Sequence, residues 1–264
     1  SPPADGYGGE YVSEWAKEMP ENLSLEEIIA WGCEFAKNDQ QETLSQLGIY
    51  FDTWFSEKSM IDNGEIGRVL ANLAEKGMAY EKDGATWLSS VEFGDDKDRV
   101  LIKSDGEYTY LTPDVAYHRN KFERSDWLIN VWGADHHGYI ARMKAAMQAL
   151  GYDSDALTVQ VTQLVKLLRA GEEVKLSKRQ GDIIELRSII EEIGADATRF
   201  MYLLQSVDSK QTFDLELAAS QAMDNPVYYV QMAHARLCSI ERNAAENGFD
   251  FKILPVDELG VVVH

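Results

Sequence analysis

The segment Val174–Gly181, which reads V-K-L-S-K-R-Q-G, has the residue types of a loop that binds phosphate groups. It is polar, it follows an apolar run of strand character, and it ends in a glycine at which the chain can bend. Lys175, Lys178 and Arg179 can stabilise the negative charge that develops on a leaving pyrophosphate. A basic surface hairpin would be the preferred interpretation if this segment stood alone.

A second segment, Val131–Gly138 (V-W-G-A-D-H-H-G), places a glycine, a carboxylate and two histidines where an apolar strand gives way to a helix. Open α/β sheets bind ligands beyond the carboxyl ends of their strands, and a helix N-terminus favours an anionic group. Gly133 would allow close backbone approach, and Asp135 can accept hydrogen bonds from ribose hydroxyls. His136 and His137 offer further donors, so the segment is a candidate nucleotide site.

Structural interpretations of this second segment are an N-capping Asp135 and histidines that only pack. A metal site is a third alternative, because adjacent histidines can ligate zinc. However, no carboxylate or histidine follows at the helical i+4 spacing that would complete such a site. Cys33 and Cys238 are the only cysteines, and no C-x-x-C pair exists. We therefore expect neither a metal at the histidine pair nor a structural zinc.

Composition narrows the class of protein. The 264 residues suffice for one large domain or two modest ones, with 45% hydrophobic and 27% charged residues. The net charge of −20 taken alone argues against nucleic-acid binding, which needs clustered Lys and Arg; a solvated acidic surface explains it. No apolar run approaches the ~20 residues of a membrane span, and no signal peptide is evident. The scarcity of cysteine indicates a cytoplasmic location.

The first part of the chain indicates a mixture of helices and hairpins. Ser24 and Glu27 form a capping box, which predicts a helix that runs to about Leu47 with a break near Asn38–Gln40. Asp83-Gly84 and Asp105-Gly106 are hairpin signals. The other predicted elements are a helix around Tyr11–Lys17, a strand at Ile49–Trp54, a helix over Glu65–Lys76 ended by Gly77, and the strand pairs Met78–Glu81 with Thr86–Leu88 and Arg99–Lys103 with Glu107–Leu111.

An α/β pattern follows. Thr112-Pro113 predicts an N-cap followed by proline at the first position of a helix that runs to about Arg124. The apolar run Trp127–Trp132 suits a strand buried on both faces. A helix from about Gly138 to Leu150 and a strand over Thr158–Leu168 complete a strand–helix–strand alternation, which is typical of an α/β sheet. From Leu186 onward only helices are predicted: Leu186–Glu192, Asp196–Gln205, Asp214–Met223 and Pro226–Asn247, with a domain boundary near Asp208–Asp214.

Together, the two candidate segments resemble the signatures of class I aminoacyl-tRNA synthetases. The family's K-M-S-K-S loop corresponds here to K-L-S-K-R, whose leucine and arginine are tolerated variants. More narrowly, nearly the whole chain is similar to bacterial arginyl-tRNA synthetases. The segments that carry this resemblance are collinear: D-G-Y-G-G-E-Y-V at Asp5–Val12, F-G-D-D-K-D-R-V-L-I-K-S-D-G at Phe93–Gly106, Y-L-T-P-D-V-A-Y-H at Tyr110–His118, W-G-A-D-H-H-G-Y at Trp132–Tyr139 and N-P-V-Y-Y-V-Q-M-A-H-A-R at Asn225–Arg236.

The resemblance implies an α/β fold that holds the second half of a class I Rossmann-like nucleotide-binding fold, with an α+β insertion and a C-terminal helical segment. It implies three parts. Residues 1–105 would be the insertion and connecting region. Residues 106–210 would be the second half of the catalytic domain, with the K-L-S-K-R loop, and residues 211–264 the start of a truncated helical anticodon-binding domain.

Roles for single residues also follow from the resemblance. Tyr110 and Asp114 match the family's Y-x-x-x-D pair and would bind the substrate arginine, whose guanidinium suits a carboxylate; His136 would contribute there. Without the family, this pair would be interpreted as a cross-strand aromatic and a first-turn helix carboxylate. The catalytic residues would be Lys175, Ser177 and Lys178, and the ATP-binding residues Gly133, Asp135, His137, Lys175, Lys178 and Arg179.

The implied parent reaction is ATP-dependent activation of arginine to the adenylate, followed by transfer to tRNA(Arg). The partners would be ATP with Mg²⁺, arginine and tRNA(Arg), in a monomeric parent without a membrane attachment. The family's first signature, H-I-G-H, has no counterpart around any of the five histidines. We therefore expect a fragment that is inactive by itself.

Two other classes of function stay open. A regulatory paralogue that binds without catalysis is favoured by the missing H-x-G-H and disfavoured by the retained K-L-S-K-R loop. A cysteine-specific class I ligase would require zinc-ligating cysteines, which the sequence lacks.

Overall fold

The computed structural model describes residues 10–174 and 185–249. The chain divides into two compact units. By their order in the sequence, we call residues 50–165 and 205–211 the central unit, and residues 10–49, 166–174, 185–204 and 212–249 the outer unit. The predicted division at residues 105 and 210 concerns domain identity rather than packing, and it stays a prediction.

Helices dominate the described residues. They are α1 Glu10–Glu18, α2 Leu25–Gln46, α3 Glu57–Asp62, α4 Glu65–Glu75, α5 Leu111–Phe122, α6 Ile140–Leu150, α7 Leu186–Ile193, α8 Ala195–Leu203, α9 Leu215–Ala219 and α10 Pro226–Glu246. The strands are β1 Ala79–Lys82, β2 Ala85–Leu88, β3 Arg99–Ile102, β4 Leu128–Gly133, β5 Leu157–Thr162, β6 Val165–Arg169, β7 Glu172–Glu173 and β8 Gln211–Asp214. Among the described helices, none combines the length and apolar character needed to cross a membrane.

The core of the central unit lies where α4, α5 and α6 pack against one another and against β2 and β3. Apolar residues recur along α4 at helical spacing, so that Ile66, Val69 and Leu73 face inward. Val115 on α5 and Met143 on α6 are completely buried beside them. Burial of this shared apolar surface holds α5, which carries the candidate Asp114, in a fixed position.

A three-stranded antiparallel sheet, in the order β1-β2-β3, covers one side of this core. The predicted hairpin at Asp83-Gly84 is confirmed, since both residues have positive φ (+53° and +74°) and Lys82 pairs with Ala85. A two-residue turn with both φ positive matches the right-handed twist of the strands. The second predicted hairpin is reduced to a single bridge between Ile102 and Tyr108, because the chain enters α5 directly afterwards.

Strands β4 and β5 form a parallel pair, with Leu128 opposite Leu157 and Gly133 opposite Thr162. This pair and the α6 crossover between its strands confirm the predicted α/β pattern. The prediction that β4 is buried on both faces is wrong for the described residues. Ile129 and Val131 are 56% and 66% exposed, while the alternate residues face the helices.

In the outer unit, α2 begins with the predicted capping box. The Ser24 hydroxyl accepts from the Glu27 backbone N–H, and the Glu27 carboxylate accepts from the Ser24 backbone N–H. The helix is continuous to Gln46, so the break predicted near Asn38–Gln40 is wrong. Strand β6 pairs with both β7 and β8.

Three further predictions of elements are wrong. The aromatic run Ile49–Trp54 has no strand partner and is not a strand. Helix α5 begins at Leu111, and Thr112 does not cap it, because its Oγ1 donates instead to the Leu101 carbonyl at 2.7 Å. Strand β8 lies where only helices were expected; its pairing partner is distant in the sequence, which local periodicity does not reveal.

A buried ion pair fastens the loop before β3. Asp95 accepts from Arg99 at both carboxylate oxygens (2.7 and 2.8 Å), and the two side chains are 2% and 12% exposed. The hydrogen bonds from Arg99 hold the pKa of Asp95 well below its ordinary value. The ionised carboxylate therefore stabilises the fold above about pH 4, the ordinary Asp pKa, and this contribution is lost as the pH falls through the folded pKa.

We expect Asp95→Asn to lower the free energy of unfolding by about 3 kcal/mol at pH 7, because it leaves Arg99 without its buried partner. The difference from the unsubstituted protein should shrink below about pH 4. Urea denaturation of the full-length protein at several pH values measures this. The exposed Asp126 serves as the control; Asp126→Asn should change stability little. A pH-independent effect of Asp95→Asn would contradict the ion-pair explanation.

Candidate functional site

Asp114 lies in the first turn of α5 and is half-buried. Its Oδ2 accepts a hydrogen bond from the Tyr139 hydroxyl at 2.9 Å. Burial raises the pKa of Asp114, and the hydrogen bond from Tyr139 and the positive charge of Lys121 oppose that rise. The site thus holds a carboxylate in a partly desolvated position with one oxygen already oriented by a neutral donor.

Tyr139 is the last residue of a 3-10 turn, Ala134–Tyr139, that connects β4 to α6. Its ring contacts the Trp132 ring edge-to-face, with centroids 5.8 Å apart. The guanidinium carbon of Arg142 lies 4.8 Å from the centroid of the Tyr139 ring, which is cation–π geometry. Burial and the nearby charge of Asp114 raise the pKa of Tyr139, so that its hydroxyl keeps the proton that it donates.

One turn further along α5, a second set of polar side chains is buried against β4. His118 Nε2 lies 2.6 Å from the Asn130 amide nitrogen, and His118 Nδ1 lies 2.7 Å from the Asp114 carbonyl oxygen. Lys121 Nζ donates to Asn130 Oδ1 at 2.9 Å and lies 4.4 Å from the centroid of the Tyr117 ring. The centroids of the Trp132 and His118 rings are 6.3 Å apart, so this network is next to Trp132.

The predicted nucleotide segment follows the carboxyl end of β4. Asp135, His136 and His137 are all exposed there, with Asp135 Oδ2 3.6 Å from His136 Nε2. A Cβ atom on Gly133 would lie only 2.6 Å from Asp135 Oδ1. The glycine therefore lets the Asp135 carboxylate fold back over the strand end.

The sequence pairs Tyr110 with Asp114, but the two side chains differ in burial. Tyr110 precedes α5 and is 92% exposed. Within the described part of the chain, no hydrogen bond or ring contact joins Tyr110 to Asp114. Tyr139, which was not predicted from the sequence, is the residue whose hydroxyl reaches Asp114.

The predicted catalytic and ATP-binding residues of the loop lie outside the described residues: Lys175, Ser177, Lys178 and Arg179. In the ranges 10–174 and 185–249, no group of three or more His, Cys, Asp or Glu side chains is arranged to hold a metal ion.

Sequence signals for the residues that prediction missed do exist, but they are weak. Asp114, His118 and Lys121 are spaced i, i+4 and i+7, which places them on one face of α5. Asn130 is a polar residue inside an apolar strand, W-L-I-N-V-W. Such a residue is expected to find a hydrogen-bonding partner when buried. Nothing in the sequence pairs Tyr139 with Asp114.

Comparison with known proteins places this chain in a family. The profile of the family described as "tRNA synthetases class I (R), catalytic domain" matches residues 18–241. The chain therefore belongs to the catalytic domains of arginyl class I tRNA synthetases, as the motifs predicted. The predicted class I fold is likewise confirmed.

Relatives and solved structures agree with this assignment. An arginine–tRNA ligase of Halalkalibacterium halodurans is 49% identical over 94% of this chain and 47% of its own length. That of Bacillus subtilis is 49% identical over 93% of this chain and 46% of its own length. A solved structure assigned as an arginyl-tRNA synthetase of Campylobacter jejuni is 37% identical, with a TM-score of 0.83 over 99% of this chain and 60% of its own.

A more distant likeness extends the fold alone. The Thermus thermophilus arginyl-tRNA synthetase is 20% identical, with a TM-score of 0.62 over 78% of this chain and 44% of its own. The chain spans about half the length of the curated relatives it matches.

We expect Tyr139→Phe to raise the pKa of Asp114 further, because the donor that stabilises the ionised carboxylate is removed. Carboxyl ¹³C NMR titration of the full-length protein measures this pKa. Tyr152→Phe is the matched control, since Tyr152 stacks on Phe122 at 4.4 Å and makes no hydrogen bond to Asp114 among the described contacts. An Asp114 pKa that is unchanged or lower in Tyr139→Phe would refute the role given to the hydroxyl.

Proposed function

We propose that this chain supplies the arginine-recognising part of an ATP-dependent arginine–tRNA ligase, with Asp114 as the guanidinium acceptor. The observation that carries the proposal is the half-buried Asp114 carboxylate, oriented by Tyr139, in a chain of the arginyl synthetase family. A guanidinium offers five N–H donors in a planar fork that suits a carboxylate.

The electrostatics of the pocket favour a cationic ligand. Burial alone destabilises the ionised form of Asp114. A bound guanidinium brings the opposite charge to the carboxylate and restores the solvation that burial removed. The Tyr139 hydroxyl that donates to Oδ2 is neutral. This hydrogen bond therefore leaves the negative charge of Asp114 available to a bound cation. We infer that a neutral side chain of similar shape would bind less well, since it would leave the partly desolvated carboxylate unpaired.

ATP recognition is assigned to the strand end and to the loop. Gly133 and Asp135 would receive the ribose, with His137 beside them, while His136 would face the amino acid. The phosphates would be held by Lys175, Lys178 and Arg179, in a loop that Ser177 helps to shape. This assignment rests on the K-L-S-K-R sequence alone.

Mg²⁺ is assigned to the ATP phosphates. Mg²⁺ is commonly bound through substrate phosphates and one or two carboxylates rather than by a protein cage.

In the proposed reaction, the arginine carboxylate attacks the α-phosphate of ATP and pyrophosphate leaves. The arginyl group then passes to a ribose hydroxyl of tRNA(Arg). The residues of this chain would act by holding the two substrates in line and by stabilising the charge on the leaving group. A cytoplasmic location and a monomeric full-length protein belong to the same proposal.

The experiment that tests this function is arginine-dependent ATP–pyrophosphate exchange by the full-length protein and its Asp114→Asn variant. We expect kcat/KM for arginine to fall by a factor that corresponds to about 2–5 kcal/mol of lost transition-state stabilisation. The reason is that a charge-assisted pair in a partly desolvated pocket is lost. The KM for ATP should change little. Asp155→Asn, on an exposed turn, is the control and should retain normal kinetics.

The rival explanation is that Asp114 only complements the N-terminus of α5, an effect of about 0.3–1 kcal/mol on stability. It predicts a slightly less stable protein with near-normal exchange. A fall in kcat/KM smaller than about tenfold would therefore show that the arginine pocket is elsewhere.

The strand end makes a separate prediction. We expect Gly133→Ala to displace the Asp135 carboxylate, because the new Cβ would come within 2.6 Å of Asp135 Oδ1. The loss of about one hydrogen bond, or ~1 kcal/mol, should raise the KM for ATP about fivefold in exchange assays. Gly138→Ala is the matched control, since a Cβ there meets nothing within 4 Å. Equal KM values for ATP in both variants would argue against Asp135 as a ribose contact.

A further inference from the structure

Helix α5 and strand β4 are joined by a polar clasp, which we define as His118, Lys121 and Asn130. All three side chains lie where apolar residues would be the ordinary choice. His118 and Asn130 are 3% and 6% exposed, and Lys121 is half-buried. Buried polar groups are costly unless they are hydrogen-bonded, and here the contacts are complementary. The clasp therefore defines one particular alignment of the helix on the strand.

The chemistry of the donors fixes the orientation of each group. The Lys121 ammonium can only donate, so the Asn130 atom 2.9 Å away must be the amide oxygen. The Asn130 amide nitrogen then faces His118 Nε2 at 2.6 Å and donates to it. Nε2 must therefore be the unprotonated nitrogen of a neutral ring, and Nδ1 carries the proton that is donated to the Asp114 carbonyl at 2.7 Å.

The ionisation of the ring agrees with this tautomer. Burial and the charge of Lys121 lower the pKa of His118 to about 4, so the ring is neutral at neutral pH. Burial likewise lowers the pKa of Lys121 to about 8. Below that pH the ammonium is charged and remains a donor to Asn130.

The clasp lies one turn along α5 from Asp114 and, on β4, before the strand end that carries Gly133. Asp114, His118 and Lys121 share one face of α5. On β4, Asn130 is three residues before Gly133, where the nucleotide segment begins. Any rotation or slide of α5 against β4 would break the clasp and would move the Asp114 carboxylate relative to that segment.

We propose that Asn130 is a positioning residue for arginine activation: by holding the Nδ1-protonated tautomer of His118 and the Lys121 ammonium, it sets α5, and with it Asp114, against the strand that carries Gly133 and Asp135. This inference rests on the proposed function. Asn130 acts through its neighbours and touches no substrate. It can be tested apart from general stability, because its replacement by aspartate changes the proton requirement of His118.

Few ionisable groups face the His118 ring among the described residues. On α5 they are Lys121, the neighbouring Tyr117 and Asp114, whose backbone carbonyl accepts from Nδ1. Strand β4 contributes Asn130 and Trp132, which do not titrate. On α4, Glu65 is engaged by Arg68 and Arg119. His136 and Tyr139 contact the Trp132 ring, and Arg142 of α6 lies over the Tyr139 ring.

Asn130→Asp presents a carboxylate to His118 Nε2. A carboxylate only accepts, so both ring nitrogens then need protons: Nε2–H for residue 130 and Nδ1–H for the Asp114 carbonyl. The imidazolium satisfies both, whereas either neutral tautomer leaves two acceptors facing each other. The pKa of His118 should therefore rise in the variant, and the aligned state should be lost as the pH increases through it.

The test is arginine-dependent ATP–pyrophosphate exchange by the full-length protein between about pH 5 and pH 7, at least one unit below the pKa of about 8 of Lys121. We expect kcat/KM for arginine in Asn130→Asp, relative to the unsubstituted protein, to fall about tenfold over this interval, as for loss of one required proton. Asn120→Asp makes the same chemical change on α5 outside the clasp, and its ratio to the unsubstituted protein should not vary with pH. A pH-independent loss, or no loss, in Asn130→Asp overturns the proposal.

The ¹⁵N resonances of His118 in the unsubstituted protein give a second test, which applies even if Asn130→Asp does not fold. We expect a neutral ring with unprotonated Nε2 down to about pH 5, one unit above the lowered pKa. A ring protonated at Nε2 and not at Nδ1, or one that titrates above pH 6, overturns the proposal. No arginine-dependent exchange by the unsubstituted protein would overturn the proposed function, and this inference with it. Normal exchange without the pH effect overturns the inference alone.

Discussion

The half-buried carboxylate of Asp114 is the constraint around which the central unit is organised. A carboxylate that loses water needs hydrogen bonds or opposite charge in return. The protein supplies one such bond from the Tyr139 hydroxyl and a charge from Lys121, which together oppose the rise in pKa that burial causes. The remaining acceptor capacity of Asp114 suits a planar cationic group. In an arginyl synthetase chain, that group is the substrate's guanidinium in our proposal.

The elements around Asp114 explain how this position is maintained. Apolar burial fixes α5 in the core through residues such as Val115, but apolar contacts are not directional. Direction comes from the clasp of His118, Lys121 and Asn130, whose donors and acceptors match in one arrangement only. The same strand ends at Gly133, where the lack of a side chain lets the Asp135 carboxylate fold back. In our proposal, arginine recognition and nucleotide recognition therefore depend on one helix–strand alignment.

Sequence reasoning succeeded where an interaction spans few residues. The Ser24 capping box and the Asp83-Gly84 turn depend on neighbours alone, and the motifs identified the family because their order and types are specific. It failed where structure depends on distant partners. The aromatic run Ile49–Trp54 has strand composition but no strand to pair with, and Tyr139 reaches Asp114 across 25 residues of sequence. The K-L-S-K-R loop, which lies outside the described residues, stays a prediction.

The central claim is that Asp114 binds the guanidinium of arginine while its Oδ2 keeps the hydrogen bond from the Tyr139 hydroxyl. A crystal structure of the full-length protein with arginine tests this most directly. We predict guanidinium nitrogens about 2.7–2.9 Å from the Asp114 carboxylate, the distance of a charge-assisted hydrogen bond, with the Tyr139 bond retained and the His118–Asn130 contact unchanged. A guanidinium bound to another carboxylate, with Asp114 bonded only to Tyr139, would contradict the account.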